Sequence, residues 1–483
     1  MEYEAVIGLE VHVQVKTATK LFARSRYSYG APTNTLTDPV VLGLPGALPV
    51  LNREAVRQAI RTGLIFHCTI PEITRWDRKS YFYPDNPKNY QISQLDQPIC
   101  KNGFVEIELP GPARNIMGEH KKIALDRIQL EEDVGKLTHD GDQSLIDFNR
   151  AGVPLLEIVS LPAMRSAEEA FAYLTSLRMH LEYAGISDCD MEKGQMRCDA
   201  NVSIRPKGQT ELGTKVELKN LNSISGVKNG IAYEISRQQK ILSDGGHIIQ
   251  ETRKWDAENG LSTSMRTKET VDDYRYFPDP DLVPLHIART WVDELQQTLP
   301  ESPFEKQERF FVDYSLPYTI TSVLYPNAEL CAYFEEAVRC YDRPKEIANF
   351  ITNDLLRELS DAHLSITREN FRISPQQLAD LVRITEAGTI SKQTAQNVFV
   401  EMFQSGKDAR TIIDEKGLAQ LSDTAALTDF CRAAIENNPK AVNEYRTGKL
   451  TAINALKGNV MKNTRGQADP ALTDKILHQL LDQ

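Results

Sequence analysis

Several acids in this chain occupy positions that a β-strand does not need them to occupy. In "GLEVHVQV" (8–15), Leu9, Val11, Val13 and Val15 alternate with Glu10, His12 and Gln14. Strand side chains point alternately to opposite faces, so one face is apolar and the other carries a carboxylate, an imidazole and an amide. The pattern recurs. Asp199, Asn201 and Ser203 alternate with apolar residues in "RCDANVSIR", and Lys215, Glu217 and Lys219 alternate with Val216 and Leu218 in "TKVELKN". "QLEEDVGK" sets three acids side by side, and Glu157 interrupts the apolar run "PLLEIV". For any one of these residues, an antiparallel sheet with one wet face is explanation enough. Glu157 is different, because a lone carboxylate is costly to bury unpaired; a partner or a function accounts for it as well as exposure does.

A sharper reading gathers Glu10, His12, Glu132, Glu157, Asp199 and Glu217 onto one concave sheet face. Carboxylates brought together repel and raise one another's pKa unless a cation holds them. Hard oxygen ligands with few nitrogens and no thiolates select Mg²⁺ over zinc, and Mg²⁺ completes its shell with water and phosphate oxygens. That chemistry points to a nucleotide. The chain has no Walker A loop and no GxGxxG, so a nucleotide site here lies outside the common motifs. Between the strands, "DRKSYFYPDNPKNYQISQ" (77–94) interleaves Arg78, Lys79 and Lys88 with Tyr81, Phe82, Tyr83 and Tyr90. Such a loop can stack on bases and hold phosphates, or it can be a surface Ω-loop pinned by its own aromatics. "DDYRYFPDPDL" (272–282) carries the same two readings.

The elements that must position these groups change character along 483 residues. Up to about residue 290, alternating or β-branched runs are punctuated by Gly, Pro and Asn and interrupted by two capped helical stretches, "SAEEAFAYLTSLRMHLEYAG" and "ISGVKNGIAYEISRQQKILSDGG". Mixed strands and helices without regular alternation favour an α+β fold. The Pro- and Asp-rich "YFPDPDLVPL" (276–285) reads as a boundary, after which short amphipathic helices of a bundle follow. A second break falls near "FQSGKDAR" (403–410). The expected domains are 1–290, 291–405 and 406–483.

Composition narrows the class. The chain is 41% hydrophobic and 25% charged, and no apolar run approaches the roughly 20 residues of a membrane helix. The opening "MEYEAVIGLEVH" reads as neither signal nor transit peptide, and the expectation is a cytoplasmic protein without a membrane partner. Seven scattered cysteines include no CxxC. The formal charge of -11 argues against a nucleic-acid partner for the chain as a whole, although a basic domain can hide inside an acidic average.

Seven stretches in order, "IGLEVHVQV", "RKSYFYPDNPKNYQISQ", "QLEEDVGK", "DFNRAGVPLLEIVS", "RCDANVSIRP", "VELKNLNS" and "DYRYFPDPDLVPL", resemble the GatB family, the B subunits of aspartyl/glutamyl-tRNA(Asn/Gln) amidotransferases. The resemblance covers essentially the whole chain, and "GKLTAINALKGNVMKNTRGQADP" (448–470) is similar to the family's YqeY-like tail. It implies a mainly antiparallel-sheet, cradle-like catalytic domain, then a helical bundle and a small helical tail. It also implies an activity. The side-chain carboxylate of Glu-tRNA(Gln) or Asp-tRNA(Asn) is activated with ATP and Mg²⁺ as an acyl phosphate, then amidated with ammonia.

In the family the ammonia comes from glutamine, hydrolysed by a separate amidase (glutaminase) subunit, while a small third subunit clamps the pair. Misacylated tRNA, and the non-discriminating synthetase that makes it, are further implied partners. By resemblance, Glu10, His12 and Glu132 bind metal, and Glu157, Asp199 and Glu217 are catalytic. Lys79, Tyr81 and Tyr83 contact the nucleotide or the acceptor end. Gln14, Asn201 and Lys215 are candidates to line an ammonia route. In the tail, Lys457, Lys462 and Arg465 grip tRNA, where the bland alternative is a solvated helix face. Two rival readings stand beside this one: a non-catalytic tRNA-binding scaffold, and a free-standing Mg²⁺-dependent ligase or hydrolase.

The sequence departs from the family pattern in two places. Many relatives hold zinc with four cysteines, where this chain has "LFARS" (Leu21 to Ser25) and "DPVV" (Asp38 to Val41). No zinc is implied, and that corner is expected to rest on packing alone. Where relatives often carry an acid after "EIVS", this chain has Leu161, with Ala163 two residues on.

Overall fold

The alternation of the first strand sets the plan of the N-terminal unit. β1 (Tyr3–Gln14) turns Leu9, Val11 and Val13 into the core, each with no exposed surface. Burial of a side chain of this kind contributes roughly 1.5–3 kcal/mol. Along the chain follow β2 (Ile73–Thr74), β3 (Asp77–Ser80), β4 (Tyr90–Ser93), β5 (Cys100–Lys101), β6 (Phe104–Glu108), β7 (His120–Glu132), β8 (Lys136–Asp140), β9 (Gln143–Asp147) and β10 (Pro154–Ser160). The remaining strands are β11 (Met196–Pro206), β12 (Val216–Leu221), β13 (Thr252–Asp256), β14 (Leu261–Arg266), β15 (Phe277–Pro278) and β16 (Leu285–His286).

The main sheet runs β14-β13-β12-β11-β1-β10-β7-β5, with β6 also paired to β7. Its pairs are antiparallel except β12 with β13. The structure is a computed structural model that describes residues 2–266, 271–366, 372–419, 424–464 and 467–482. These divide into two compact units, Met1–Lys306 and Gln307–Gln483.

The apolar face of the sheet is covered by helices. Four of them, α1 (Arg53–Ile65), α2 (Ala167–Tyr183), α3 (Ile224–Ser243) and α4 (Arg289–Gln297), contribute to one core with the strands. The two capped stretches foreseen in the sequence are α2 and α3. Ser166 Oγ accepts from Glu169 N, and Ser223 Oγ from Gly226 N. These bonds satisfy backbone donors that the first helical turn cannot pair internally. In α1, Gly63 lets the helix lie against β5, since a Cβ there would collide with Cys100 Sγ.

The stretch read as a boundary belongs to this unit. Phe277 pairs with Arg78 in the small sheet β15-β3-β4, and Leu285 pairs with Thr74 in β16-β2. Val292 and Leu295 of α4 then join the first core. The second unit is helical throughout its described residues and holds two cores. One gathers Phe310, Phe334, Leu378 and Phe399; the other gathers Leu427, Leu456, Val460 and Leu477 in the last helices. The observed class is the expected α+β: a mainly antiparallel sheet domain followed by helices.

One expectation is corrected at the corner formed by residues 21–25 and 38–41. Packing does not act alone there, because Asp38 works as a clasp. Its Oδ1 accepts from Val40 N and Val41 N, and its Oδ2 from Ser25 N. The fully buried Lys20 lies beside it, with Nζ donating to Leu36 O at 2.7 Å. Burial brings the Lys20 pKa down to about 8, against the partial opposition of Asp38, Glu132 and Asp147. Burial also tends to raise Asp38, but its hydrogen bonds outweigh that and hold it below the usual carboxylate range. A depressed folded pKa means the stabilisation is complete above the unfolded value, about 3.9, and is lost as pH falls through the folded value. Asp38→Ala should cost about 1–2 kcal/mol and speed hydrogen exchange across residues 20–50. The wild type should show the same local loosening only below about pH 4.

Candidate active site

β1 lies between β10 and β11, and their register decides which side chains meet. His12 stands opposite Glu157 on β10 and opposite Arg197 on β11; Glu10 stands opposite Asp199. Glu157 pairs in turn with Gln129 of β7, and Asn201 with Glu217 of β12. Paired residues share a face. Glu10, His12, Gln14, Gln129, Glu157, Arg197, Asp199, Asn201 and Glu217 therefore all project from the side of the sheet opposite the helices.

On that face a cluster forms around His12. The ligand atoms of His12, Glu131 and Glu157 lie within 4.8 Å of one another. Glu131 is two residues beyond Gln129, so strand alternation brings it to the same face. Ser93 Oγ donates to Glu131 Oε2 at 2.8 Å. Burial raises the pKa of Glu131, with Lys79 and Ser93 pulling the other way. Burial raises Glu157 too, and the neighbouring Glu131 adds to it. His12 Nε2 lies 3.9 Å from Glu131 Oε1, and Lys79, on β3, supplies a compensating ammonium. Burial works against its ammonium, but Glu131, Tyr276 and Glu157 outweigh that and raise its pKa. Its Nζ also lies 4.9 Å from the centre of the Tyr274 ring. Two acids and an imidazole so close form a donor set suited to a hard divalent cation.

The other predicted acids take different places. Asp199 and Glu217 gather on Lys219, whose Nζ lies 2.5 Å from Asp199 Oδ2 and 3.7 Å from Glu217 Oε1. Glu10 Oε1 accepts from Asn201 Nδ2 at 2.9 Å. Gln14 is buried and donates to Asp133 Oδ2, whereas Lys215 is exposed just before β12.

Glu132 corrects the expectation made for it. Its side chain points to the opposite face from Glu131, where Oε1 accepts from Ile92 N at 3.0 Å and pairs with Lys88. It does not reach the cluster, and Glu131 takes the position foreseen for it. The sequence carried the signal: Ile128 and Leu130 are fully buried, so position 132 shares their parity and position 131 does not.

The loop after β3 is closed by Tyr81 N to Asn89 O and by Asn86 Nδ2 to Tyr81 O, with Asn89 in a left-handed conformation at φ 64°. Tyr81 is half-buried and Tyr83 exposed beside an 80% exposed Phe82. The second basic and aromatic stretch serves the fold, since Asp279 and Asp281 both grip Arg78.

Sequence reasoning missed a second polar network. Buried Asp133 binds Arg197 at 2.9 Å and Gln14 at 3.0 Å, with Arg150 at 3.6 Å. Burial raises the Asp133 pKa, but the two guanidiniums outweigh it and hold the carboxyl low. Arg150 and Arg197, with Lys136, Tyr27 and Tyr29, line a cavity of about 670 Å³. That volume is within the ~300–1,000 Å³ usual for small-molecule sites. In the second unit, Lys457 is paired with Asp474 at 2.5 Å, and Lys462 is exposed. Arg465 lies outside the described residues.

Residues 5–293 match the family profile described as the GatB/GatE catalytic domain, and residues 332–481 that described as the GatB domain. The chain is 58% identical over 484 residues to the aspartyl/glutamyl-tRNA(Asn/Gln) amidotransferase B subunit of Opitutus terrae, covering 100% of this chain and 99% of that protein. It is 49% identical to the corresponding B subunit of Carboxydothermus hydrogenoformans, covering 99% of each. Identity to that of Thermoanaerobacter pseudethanolicus is 47%, covering 100% of each.

Without a cation, Glu157 adds a carboxylate to a crowded site, and a raised folded pKa is a penalty that persists above that pKa. Glu157→Gln should therefore raise the thermal midpoint of the metal-free protein at pH 7.5, on the order of 2–4 °C. Added Mg²⁺ should stabilise the wild type and leave the variant unmoved.

Proposed function

The chain belongs to the GatB family, and on that premise we propose that it is the B subunit of a tRNA-dependent amidotransferase whose first unit activates a tRNA-borne carboxylate. The substrates are Glu-tRNA(Gln), Asp-tRNA(Asn) or both. The observation that carries the reading is the meeting of His12, Glu131 and Glu157 within 4.8 Å on the polar face of the sheet.

A side-chain carboxylate is a poor electrophile, because its leaving group would be oxide. Transfer of the γ-phosphoryl group of ATP onto it gives an acyl phosphate with phosphate as leaving group. Ammonia then attacks the carbonyl carbon, the C–O bond to phosphate breaks, and the amide remains. Phosphoryl transfer depends mostly on positioning and on neutralising charge. In this reading His12, Glu131 and Glu157 would hold a magnesium ion, which when bound supplies that neutralisation. Lys79 balances the acids at the floor and is a candidate contact for phosphate. Glu10, Asp199 and Glu217, with Lys219, form the adjoining wall where the acceptor end and ammonia meet. Tyr81 and Tyr83 offer stacking surfaces at the mouth.

Partners follow from the same reading: an amidase (glutaminase) subunit to release ammonia, a small third subunit, and a synthetase that misacylates the tRNA. The tail, 406–483, holds tRNA through its basic surface. No helix of the described residues is long and apolar enough to cross a membrane, and we place the complex in the cytoplasm. A scaffold without chemistry is the competing reading.

Two measurements test the proposal. With ammonia supplied directly to the assembled complex, misacylated tRNA and ATP, Glu131→Gln and Glu10→Ala should each lower amide formation and ATP cleavage together, by on the order of 10²–10³-fold. Unchanged ATP cleavage in both would favour the scaffold. In the tail, Lys462→Glu should weaken tRNA binding more than Lys457→Glu, whose native charge is already shared with Asp474, and glutaminase activity should stay intact.

A further inference from the structure

Lys79 neutralises Glu131 and Glu157 without occupying them. Among the described residues no carboxylate lies within ion-pair distance of its ammonium, yet both acids act on it through space. An ammonium slightly nearer would take the oxygens a metal needs, and one much farther would leave the acids uncompensated. Something must fix this separation across two different sheets.

One residue bridges the two sheets at the level of Lys79. Glu132, on the reverse face of β7, makes three bonds to the stretch leading into and through β4. Its Oε1 accepts from Ile92 N at 3.0 Å and pairs with the Lys88 ammonium, and its backbone carbonyl accepts from Gln91 Nε2 at 2.6 Å. Gln91 stands directly opposite Lys79 in the β3–β4 register. Glu132 and Lys88 are both almost wholly buried, with side chains 6% and 8% exposed. Among the described residues, the other ties between β7 and this hairpin, Ser93 Oγ to Glu131 Oε2, Trp76 Nε1 to Leu130 O and Leu130 N to Gln94 Oε1, lie toward the opposite end of β4.

We propose that Glu132 is a positioning residue that pins the strand carrying Lys79 to the strand carrying Glu131, holding the ammonium close enough to balance the acids and too far to displace a divalent cation. The inference rests on the reading of His12, Glu131 and Glu157 as the cation site. When the pin is lost, the β3–β4 hairpin relaxes and Lys79 settles onto the carboxylates.

The test is Mn²⁺ binding to the assembled complex, read from the electron paramagnetic resonance signal of the free ion. Glu132→Ala, which removes the acceptor of Ile92 N and the partner of Lys88, should weaken binding roughly 10–100-fold, the range seen when groups supporting metal ligands are removed. Lys88→Met/Glu132→Leu, which buries no unpaired charge, should do the same. Adding Lys79→Met to either should restore affinity toward that of Lys79→Met alone. A purely structural defect would lower the number of sites per chain and leave the midpoint in place. Wild-type midpoints in the pin variants, or no recovery on removing Lys79, would overturn the proposal. If Glu131→Gln itself binds Mn²⁺ like the wild type, the cation site is elsewhere and the underlying reading falls first.

Discussion

Like charges cannot be crowded onto one face of a sheet without an answer to their repulsion, and the N-terminal unit is organised around that answer. Its central strands bring acids from β1, β7, β10, β11 and β12 to a single surface. Each group of acids there has its own counter-charge: Lys79 near Glu131 and Glu157, Lys219 at Asp199 and Glu217, Arg150 and Arg197 around Asp133. The three differ in kind. Lys219 and the arginines touch their acids, while Lys79 stands off. The cluster left without direct contact is the one whose donor atoms converge, as a cation site requires.

The opposite face makes this arrangement tolerable for folding. Leu9, Val11, Val13, Leu156, Ile158 and Ala200 are fully buried under α2 and α3, and that apolar contact anchors the strands however their polar sides titrate. A strand with one apolar face has a strongly specified register, because a slip of one residue would exchange the faces. The same alternation thus stabilises the sheet and aims the acids.

Much of this was legible in the sequence. Strict alternation in "GLEVHVQV" and "RCDANVSIR" identified the polar face, and the cap at Ser166 announced its helix. The error at Glu132 came from matching a motif instead of counting parity from Ile128 and Leu130. Other features could not be read along the chain at all. Asp133, Arg150 and Arg197 come from three separate segments, and only the closed sheet brings them together. Arg78 read equally as a phosphate contact or as part of a self-pinned loop, because nothing local reveals that Asp279 and Asp281, some two hundred residues away, already hold it. The stretch 276–285 has the composition of a linker, yet it is stitched to β3 and β2 by two-residue strands too short to have a periodicity.

The Asp38 clasp has a consequence for how the protein matures. This chain closes the corner with one carboxylate, that of Asp38, which accepts from three of its own backbone amides. Leu21 N also bonds Gly152 O and Leu36 N bonds Asn149 Oδ1, so in the growing chain the corner closes only after residues 149–152 have emerged, and residues 20–41 offer no thiolate for an oxidant to attack.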